Sequence, residues 1–254
     1  MENMENLDDY KPAQLSGKRI LITGGSTGIG RATAILLAQL GSKIIITGRD
    51  KNILDEALQG IKEKAPDSEI LAIDADQSTE EGIKKIFDAV DSELQGLDVL
   101  INNAGLSAEG ITNGSFEEWQ YVLNTNLLGY MACANGAAAR MKTEGGHIVN
   151  IGSMSAETKN PESTVYVATK SGIRGFTSSL RKEVNPDKIK VTLIEPGSVS
   201  SDMQEMPVSE QKQKIESLEM LEATDIAVSI MYVLAQPQRC NIVGLQIRPL
   251  LELI

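Results

Sequence analysis

Tyr166 and Lys170 stand four residues apart in a stretch whose apolar residues recur at helical spacing. Four residues make about one helical turn, so the two side chains share a face and a phenol meets an ammonium. A free phenol ionises at about pH 10, too high for a useful base near neutrality, and a nearby positive charge favours the phenolate. Such a pair can pass a proton to or from an oxygen atom. The spacing alone says little, because Tyr-x-x-x-Lys also occurs in ordinary helices with Tyr in the core and Lys in solvent. Ser153, thirteen residues earlier and just past the apolar run 148–151, adds a hydroxyl that can donate to the same oxygen. Ser155 lies close to it. Asn126, within Asn124-Thr125-Asn126, reads in isolation as an Asn that kinks a helix through a local backbone bond.

A second group serves phosphate. Thr23-Gly24-Gly25-Ser26-Thr27-Gly28-Ile29-Gly30 joins an apolar run to a helical one. Gly24 permits the tight turn, Gly28 lets the backbone approach a diphosphate, and Gly30 lets helix and sheet pack closely, with amide donors supplied by the helix N-terminus. The Gly-x-x-x-Gly-x-Gly spacing departs from the commoner Gly-x-Gly-x-x-Gly, and such a turn alone serves many mononucleotides or none.

These residues need a frame. Short β-branched runs at 18–23, 43–47, 70–73, 99–101, 147–150, 190–194 and 242–247 alternate with helical spacing at 29–40, 50–64, 79–94, 115–141, 163–184 and 224–235. That rhythm predicts an α/β fold with a parallel sheet and right-handed crossovers. Ligands of such a sheet bind beyond the carboxyl ends of its strands. Residues 23–30, Asn102 to Gly105, Ser153 and Pro196-Gly197 all fall there.

Composition narrows the class. A chain of 254 residues with no linker after about residue 17 reads as one domain over 17–254. Residues 1–16, with six acidic or amide residues before Tyr10 and no period, read as a mobile tail rather than an export signal. No apolar run approaches a membrane span. A net charge of −11 argues against nucleic acid. Cys133 and Cys240 read as buried thiols in a reducing, cytoplasmic setting. His147, the one histidine, nearly excludes a His-based metal site or Ser-His-Asp triad, so no metal is expected; its place beside an apolar run reads as a strand-edge surface position.

Taken in order, Thr-Gly-x-x-x-Gly-Ile-Gly, Asn102-Asn103-Ala104-Gly105, Ser153, Tyr166-x-x-x-Lys170 and Pro196-Gly197 resemble the short-chain dehydrogenase/reductase family over residues 17–247. The resemblance implies a doubly wound, Rossmann-type seven-stranded parallel sheet in three α/β/α layers. It also implies a nicotinamide-dependent oxidoreductase that interconverts a carbonyl and an alcohol. By the same likeness the catalytic residues are Asn126, Ser153, Tyr166 and Lys170, with Asn126 holding a water linked to the lysine. The cofactor would lie on Gly24, Ser26, Thr27, Gly28, Ile29 and Gly30, then Asp74 and Ala75 near the adenine, and Asn103, Ala104 and Gly105 along the groove. Lys170 would meet the nicotinamide ribose and Val199 the carboxamide, with Tyr166, Pro196 and Gly197 also among the cofactor's contacts. Ser201 replaces a frequent Thr and keeps a hydroxyl.

Relatives that prefer NAD carry an acid where this chain has Gly48, and Arg49 follows with a guanidinium able to fork onto a 2′-phosphate. NADP is therefore expected over NAD. The competitor is Asp50, at the distance of a ribose-binding acid, although its place before a helical run also suits an N-cap; the alternative for Arg49 is a solvated charge. Residues 201–222 resemble the family's substrate lid, with Met203, Met206 and Met220 as flexible wall or plain helix contacts. The ending Ile247-Arg248-Pro249 and the run Ile194-Glu195-Pro196-Gly197 resemble NADP-dependent 3-hydroxy acid and serine dehydrogenases. They imply a short 3-hydroxy acid or its 3-oxo partner, with carrier-bound 3-oxoacyl reduction second. Leu250, Leu251, Leu253 and Ile254 are expected to be buried against the core or a partner subunit. By resemblance the chain forms a homodimer or homotetramer through the helices holding Asn126 and Tyr166. Two rivals are an NADP-binding regulator without turnover, which needs no Tyr-Lys pair, and a sugar-nucleotide epimerase, which needs a larger carboxyl-terminal region.

Overall fold

The computed structural model describes residues 12–204 and 206–252. Among them the strands are β1 (Arg19–Ile22), β2 (Lys43–Gly48), β3 (Ile70–Asp74), β4 (Val99–Asn102), β5 (Gly146–Ile151), β6 (Ile189–Pro196) and β7 (Gly244–Ile247). The helices are α1 (Gly28–Gln39), α2 (Lys51–Lys64), α3 (Glu80–Ala89), α4 (Phe116–Leu123), α5 (Gly129–Met141), the short α6 (Ser155–Thr158), α7 (Thr164–Val184), α8 (Val208–Glu216) and α9 (Ala223–Leu234). All strand pairs are parallel, in the order β3-β2-β1-β4-β5-β6-β7. Chain direction across the sheet reverses between β1 and β4, which opens a crevice at their carboxyl ends.

Helices cover both faces, and the strands show why. Ile20, Ile22, Ile44 and Ile46 pack with α1, α2 and α9 on one side, while Leu21, Ile45 and Leu100 pack with α3, α5 and α7 on the other. Successive strand side chains point to opposite faces, so a run apolar at every position is what a sheet buried on both sides requires. The expected Rossmann-type α/β/α sheet is the one present.

Four local expectations are corrected. The helix expected at 115–141 is broken into α4, a π-helical turn at Asn124–Leu128, and α5. Gln77 Nε2 donates to the Thr125 carbonyl at 2.8 Å, and a Cβ on Gly129 would come 2.9 Å from the Gln77 carbonyl oxygen. A side chain drawn into the backbone ladder is a known cause of such a turn. His147 is not at the surface but buried in β5, with Nε2 2.7 Å from Thr192 Oγ1. Thr192 spends its own proton on the Ile242 carbonyl, so the imidazole donates through Nε2. Burial, helped by Lys190, pushes its pKa down to about 3. Residues 12–16 belong to the domain: Ala13 N–H donates to the Ala235 carbonyl, Ser42 Oγ to the Leu15 carbonyl, and Leu15 is buried. Residues 1–11 of the expected tail lie outside the described residues. Finally, of the two places expected to bury Leu250 and Leu251, the core is excluded because both are exposed on the single chain, which leaves a partner subunit; residues 253–254 lie outside the described residues. Cys133 is buried and Cys240 half-buried, both free. Among the described residues no helix is long and apolar enough to cross a membrane.

Candidate active site

A cleft of about 1290 Å³ follows the carboxyl ends of the strands from β2 to β6. At its centre the turn after β1 is locked to the loop after β4. Thr23 Oγ1 accepts from the backbone N–H groups of Asn103 and Ala104, and Asn103 Nδ2 donates to the Thr23 and Gly24 carbonyls. Gly24 has φ 65°, and a Cβ there would lie 2.6 Å from Ala104 Cα. A Cβ on Gly30 would fall 2.1 Å from the Gly24 carbonyl oxygen, so this glycine lets α1 start directly against its own turn. Gly28 has φ 51° and meets nothing nearer than Ser201 Cβ at 3.4 Å; its bare face is turned to the cleft. Thr27 caps α1 without a side-chain bond, so the amides of the first turn are available to an anion. Ser26, Thr27, Gly28 and Ile29 line the cleft with Ala104 and Gly105.

At one end Arg49 stands on the wall and is braced. Its guanidinium bonds the Tyr121 hydroxyl and lies 5.5 Å from that ring's centroid. Tyr121 in turn donates to Asp76 Oδ2 at 2.8 Å. Asp50 accepts from the N–H groups of Asn52 and Ile53 as the N-cap of α2. Tyr121 rides on α4 two residues after Trp119, whose indole lies against Gly114; a Cβ there would come 2.4 Å from Nε1.

At the other end α7 carries the proton-handling pair. Lys170 is buried and donates through Nζ to the Ile151 carbonyl at 3.0 Å, an acceptor shared with the Tyr130 hydroxyl at 3.2 Å. Its Nζ lies 5.6 Å from the centroid of the Tyr166 ring. Burial lowers the Lys170 ammonium to about 8. Burial also raises the Tyr166 phenol, and a hydrogen bond with Ser153 opposes that rise. Ser153 Oγ additionally accepts the Ser155 N–H at 3.1 Å. A hydroxyl, a phenol and an ammonium thus converge on one wall, able to bind an oxygen atom and exchange a proton with it.

A family model for short chain dehydrogenases matches residues 18–212. This chain belongs to that family. It is 31% identical over 237 residues to an uncharacterised oxidoreductase of Staphylococcus aureus, covering 92% of this chain and 98% of that protein. With carbonyl reductase family member 4 of Danio rerio it shares 35% identity over 219 residues, 85% of this chain and 91% of that one. Among solved structures, a short chain dehydrogenase of Burkholderia cenocepacia in complex with NADP superposes with a TM-score of 0.83 at 29% identity, covering 93% of this chain and 98% of that one. This dehydrogenase is accordingly an oxidoreductase of the kind that works on a carbonyl or its alcohol.

Not every expected site residue of the dehydrogenase reaches the cleft wall. Asp74 stands off the cleft wall, where the Lys85 ammonium 2.8 Å away holds its carboxyl below the usual range; Ala75 and Asp76 line the wall instead. Asn126 is fully buried behind the wall. Its amide bonds the N–H and carbonyl of Leu106, each at 2.8 Å, and approaches Thr169 Oγ1, so the side chain fixes the loop rather than facing the cleft. The Val199 carbonyl accepts from Gln204 Nε2 at 2.9 Å. Pro196, Gly197, Val199, Ser201 and Met203 line the cleft; Met220 is buried and Met206 stands off the wall. Missed by sequence reasoning were Tyr121, Asp76 and Glu252. Tyr121 and Glu252 carry no motif: the packing of α4 brings Tyr121 against Arg49 and Asp76 of the wall, and the carboxyl-terminal segment brings Glu252 to the cleft.

Proposed function

We propose that this dehydrogenase interconverts a carbonyl and an alcohol with NADP as cofactor and Tyr166 as the proton donor and acceptor. The observation that carries this is the meeting of Ser153, Tyr166 and Lys170 in the same cleft as the glycine turn. The turn suits a diphosphate: Gly24 and Gly28 have positive φ, and the bare Gly28 face is open toward the cleft. A nicotinamide cofactor held by that turn would supply or accept the hydride. Ser153 hydrogen-bonds the substrate oxygen, Lys170 places positive charge behind the phenol, and Tyr166 moves the proton. Near neutrality the phenol holds its proton and can donate it to a carbonyl oxygen. Arg49, braced by Tyr121 at the expected ribose end, supports NADP over NAD, and the Burkholderia relative is an NADP complex.

The resemblance of the carboxyl terminus names a short 3-hydroxy acid or its 3-oxo partner, with a carrier-bound 3-oxoacyl group second. Among the described wall residues the cations are Arg49 and Lys170, both already engaged, so the geometry offers a free substrate carboxylate no counter-ion of its own. Purified protein assayed with NADPH and NADH against a panel of ketones, aldehydes and oxo acids tests the reading. Tyr166→Phe should cut turnover by about 10²- to 10⁴-fold while leaving NADPH affinity within a few fold. NADPH binding by wild type without turnover of any carbonyl would overturn it in favour of a cofactor-sensing regulator.

A further inference from the structure

After β7 the chain turns back onto the cleft. Leu251 N–H donates to the Leu218 carbonyl at 3.0 Å, and Glu252 N–H to the Pro249 carbonyl at 3.3 Å. The Glu252 carboxylate thereby comes to rest on the turn that follows β6. Its Oε1 accepts the Ser198 N–H at 2.9 Å, and a Cβ on Gly197 would lie 2.3 Å from Oε2, so this position must be glycine for the carboxylate to sit there. Oε2 is buried and has no hydrogen-bond partner. A buried carboxylate oxygen without a donor is costly, and native sites rarely leave one so. The same turn is tied to the reacting group, because Met154 N–H, next to Ser153, donates to the Pro196 carbonyl at 2.8 Å. Glu252, Gly197, Ser153 and Tyr166 all line the one cleft.

The charge of that wall is lopsided. Among the described residues lining the cleft the acids are Asp50, Asp76, Asp202 and Glu252, and the bases are Arg49 and Lys170. Arg49 is held at the β2 end by Tyr121, and Lys170 by Ile151. Beyond Ser153 the wall continues as Ser155, Thr158, Asn160 and Ser163, hydroxyl and amide groups that bind neutral polar atoms. A substrate carboxylate there would meet the Glu252 charge with no cation among the described lining residues to offset it, whereas a hydroxyl or ammonium would give Oε2 its donor.

We infer that Glu252 selects the substrate: the carbonyl compound handled by Ser153 and Tyr166 carries a hydrogen-bond donor, a hydroxyl or an ammonium, and no negative charge beside its carbonyl. This rests on the carbonyl–alcohol reading above and replaces the 3-oxo acid as its substrate class. Four ketones of equal chain length test it with NADPH: one hydroxylated, one bearing an amine, one unsubstituted and one carrying a carboxylate. Wild type should prefer the donor-bearing pair to the oxo acid, and the stronger of the two tells hydroxyl from ammonium. Glu252→Gln keeps an oxygen for the Ser198 N–H but puts an NH2 group in place of the other oxygen. It should lower the ratio of kcat/KM for the preferred donor ketone over the unsubstituted one by about tenfold or more. Glu252→Ala, the second variant, should move the ratio the same way. An unchanged ratio in both variants, a wild-type preference for the oxo acid, or a loss that falls on NADPH affinity instead would overturn the assignment to substrate. Absence of turnover on all four and on every other carbonyl compound would instead overturn the reading beneath it, and this inference with it.

Discussion

Lys170 and Tyr166 share a cause for the directions in which they shift. Each is buried, and burial disfavours the charged form, so the ammonium falls to about 8 while the phenol rises. Near neutrality the lysine is still charged and the tyrosine still holds its proton. The Ile151 carbonyl orients Nζ, and the Tyr130 hydroxyl on that same carbonyl fixes the acceptor. Arg49 offers the sharpest residue-level test. A guanidinium bonding a 2′-phosphate contributes a charge-assisted hydrogen bond, so Arg49→Ala should weaken NADPH binding by about tenfold to a hundredfold and NADH binding little. Equal loss for both cofactors, read by fluorescence titration, would mean that Arg49 only braces Tyr121. Motif order singled out Ser153, Tyr166 and Lys170, and the place after Gly48 singled out Arg49; all four line the cleft. Neither signal pointed to Tyr121 or Asp76, because their roles depend on a contact between α4 and the loop after β3.

The sheet was legible at the level of elements because a strand covered on both faces must be apolar at nearly every position, and helices must intervene between parallel neighbours. The π turn at Asn124–Leu128 was not, since it is drawn by Gln77, 48 residues from Thr125 in sequence. His147 misled for a related reason: its polarity suggests an edge, yet Thr192 on the neighbouring β6 supplies the partner that makes burial tolerable. That placement has a measurable cost in acid. Its folded pKa of about 3 lies below the ordinary 6.5, so below about pH 6.5 the unfolded chain takes up a proton that the folded chain refuses. Stability is therefore lost as pH falls from about 6.5 toward 3, by up to about 1.4 kcal/mol per pH unit. His147→Gln keeps a donor for Thr192 without the titration. Between pH 6.5 and 5, urea unfolding should show wild type losing about 1.6 kcal/mol more than the variant. Equal losses would show that the imidazole does not govern this slope.

Across the whole molecule, the cleft is assembled from both halves of the sheet and closed by the segment after β7. The resemblance carries a homodimer or homotetramer, and the exposed Leu123, Leu128 and Met131 give the region around Asn126 an apolar surface for it. Light scattering should report two or four chains for wild type, and Leu128→Asp with Met131→Asp should reduce that mass; a single-chain mass for wild type would refute the assembly. The packing of α4 has one more consequence. Trp119 is the chain's one tryptophan, pressed on Gly114 and two residues from the Tyr121 that braces Arg49. If a ligand at the β2 end of the cleft shifts α4 through Arg49 and Tyr121, the light emission of Trp119 should change on mixing with NADPH alone, with no carbonyl compound present.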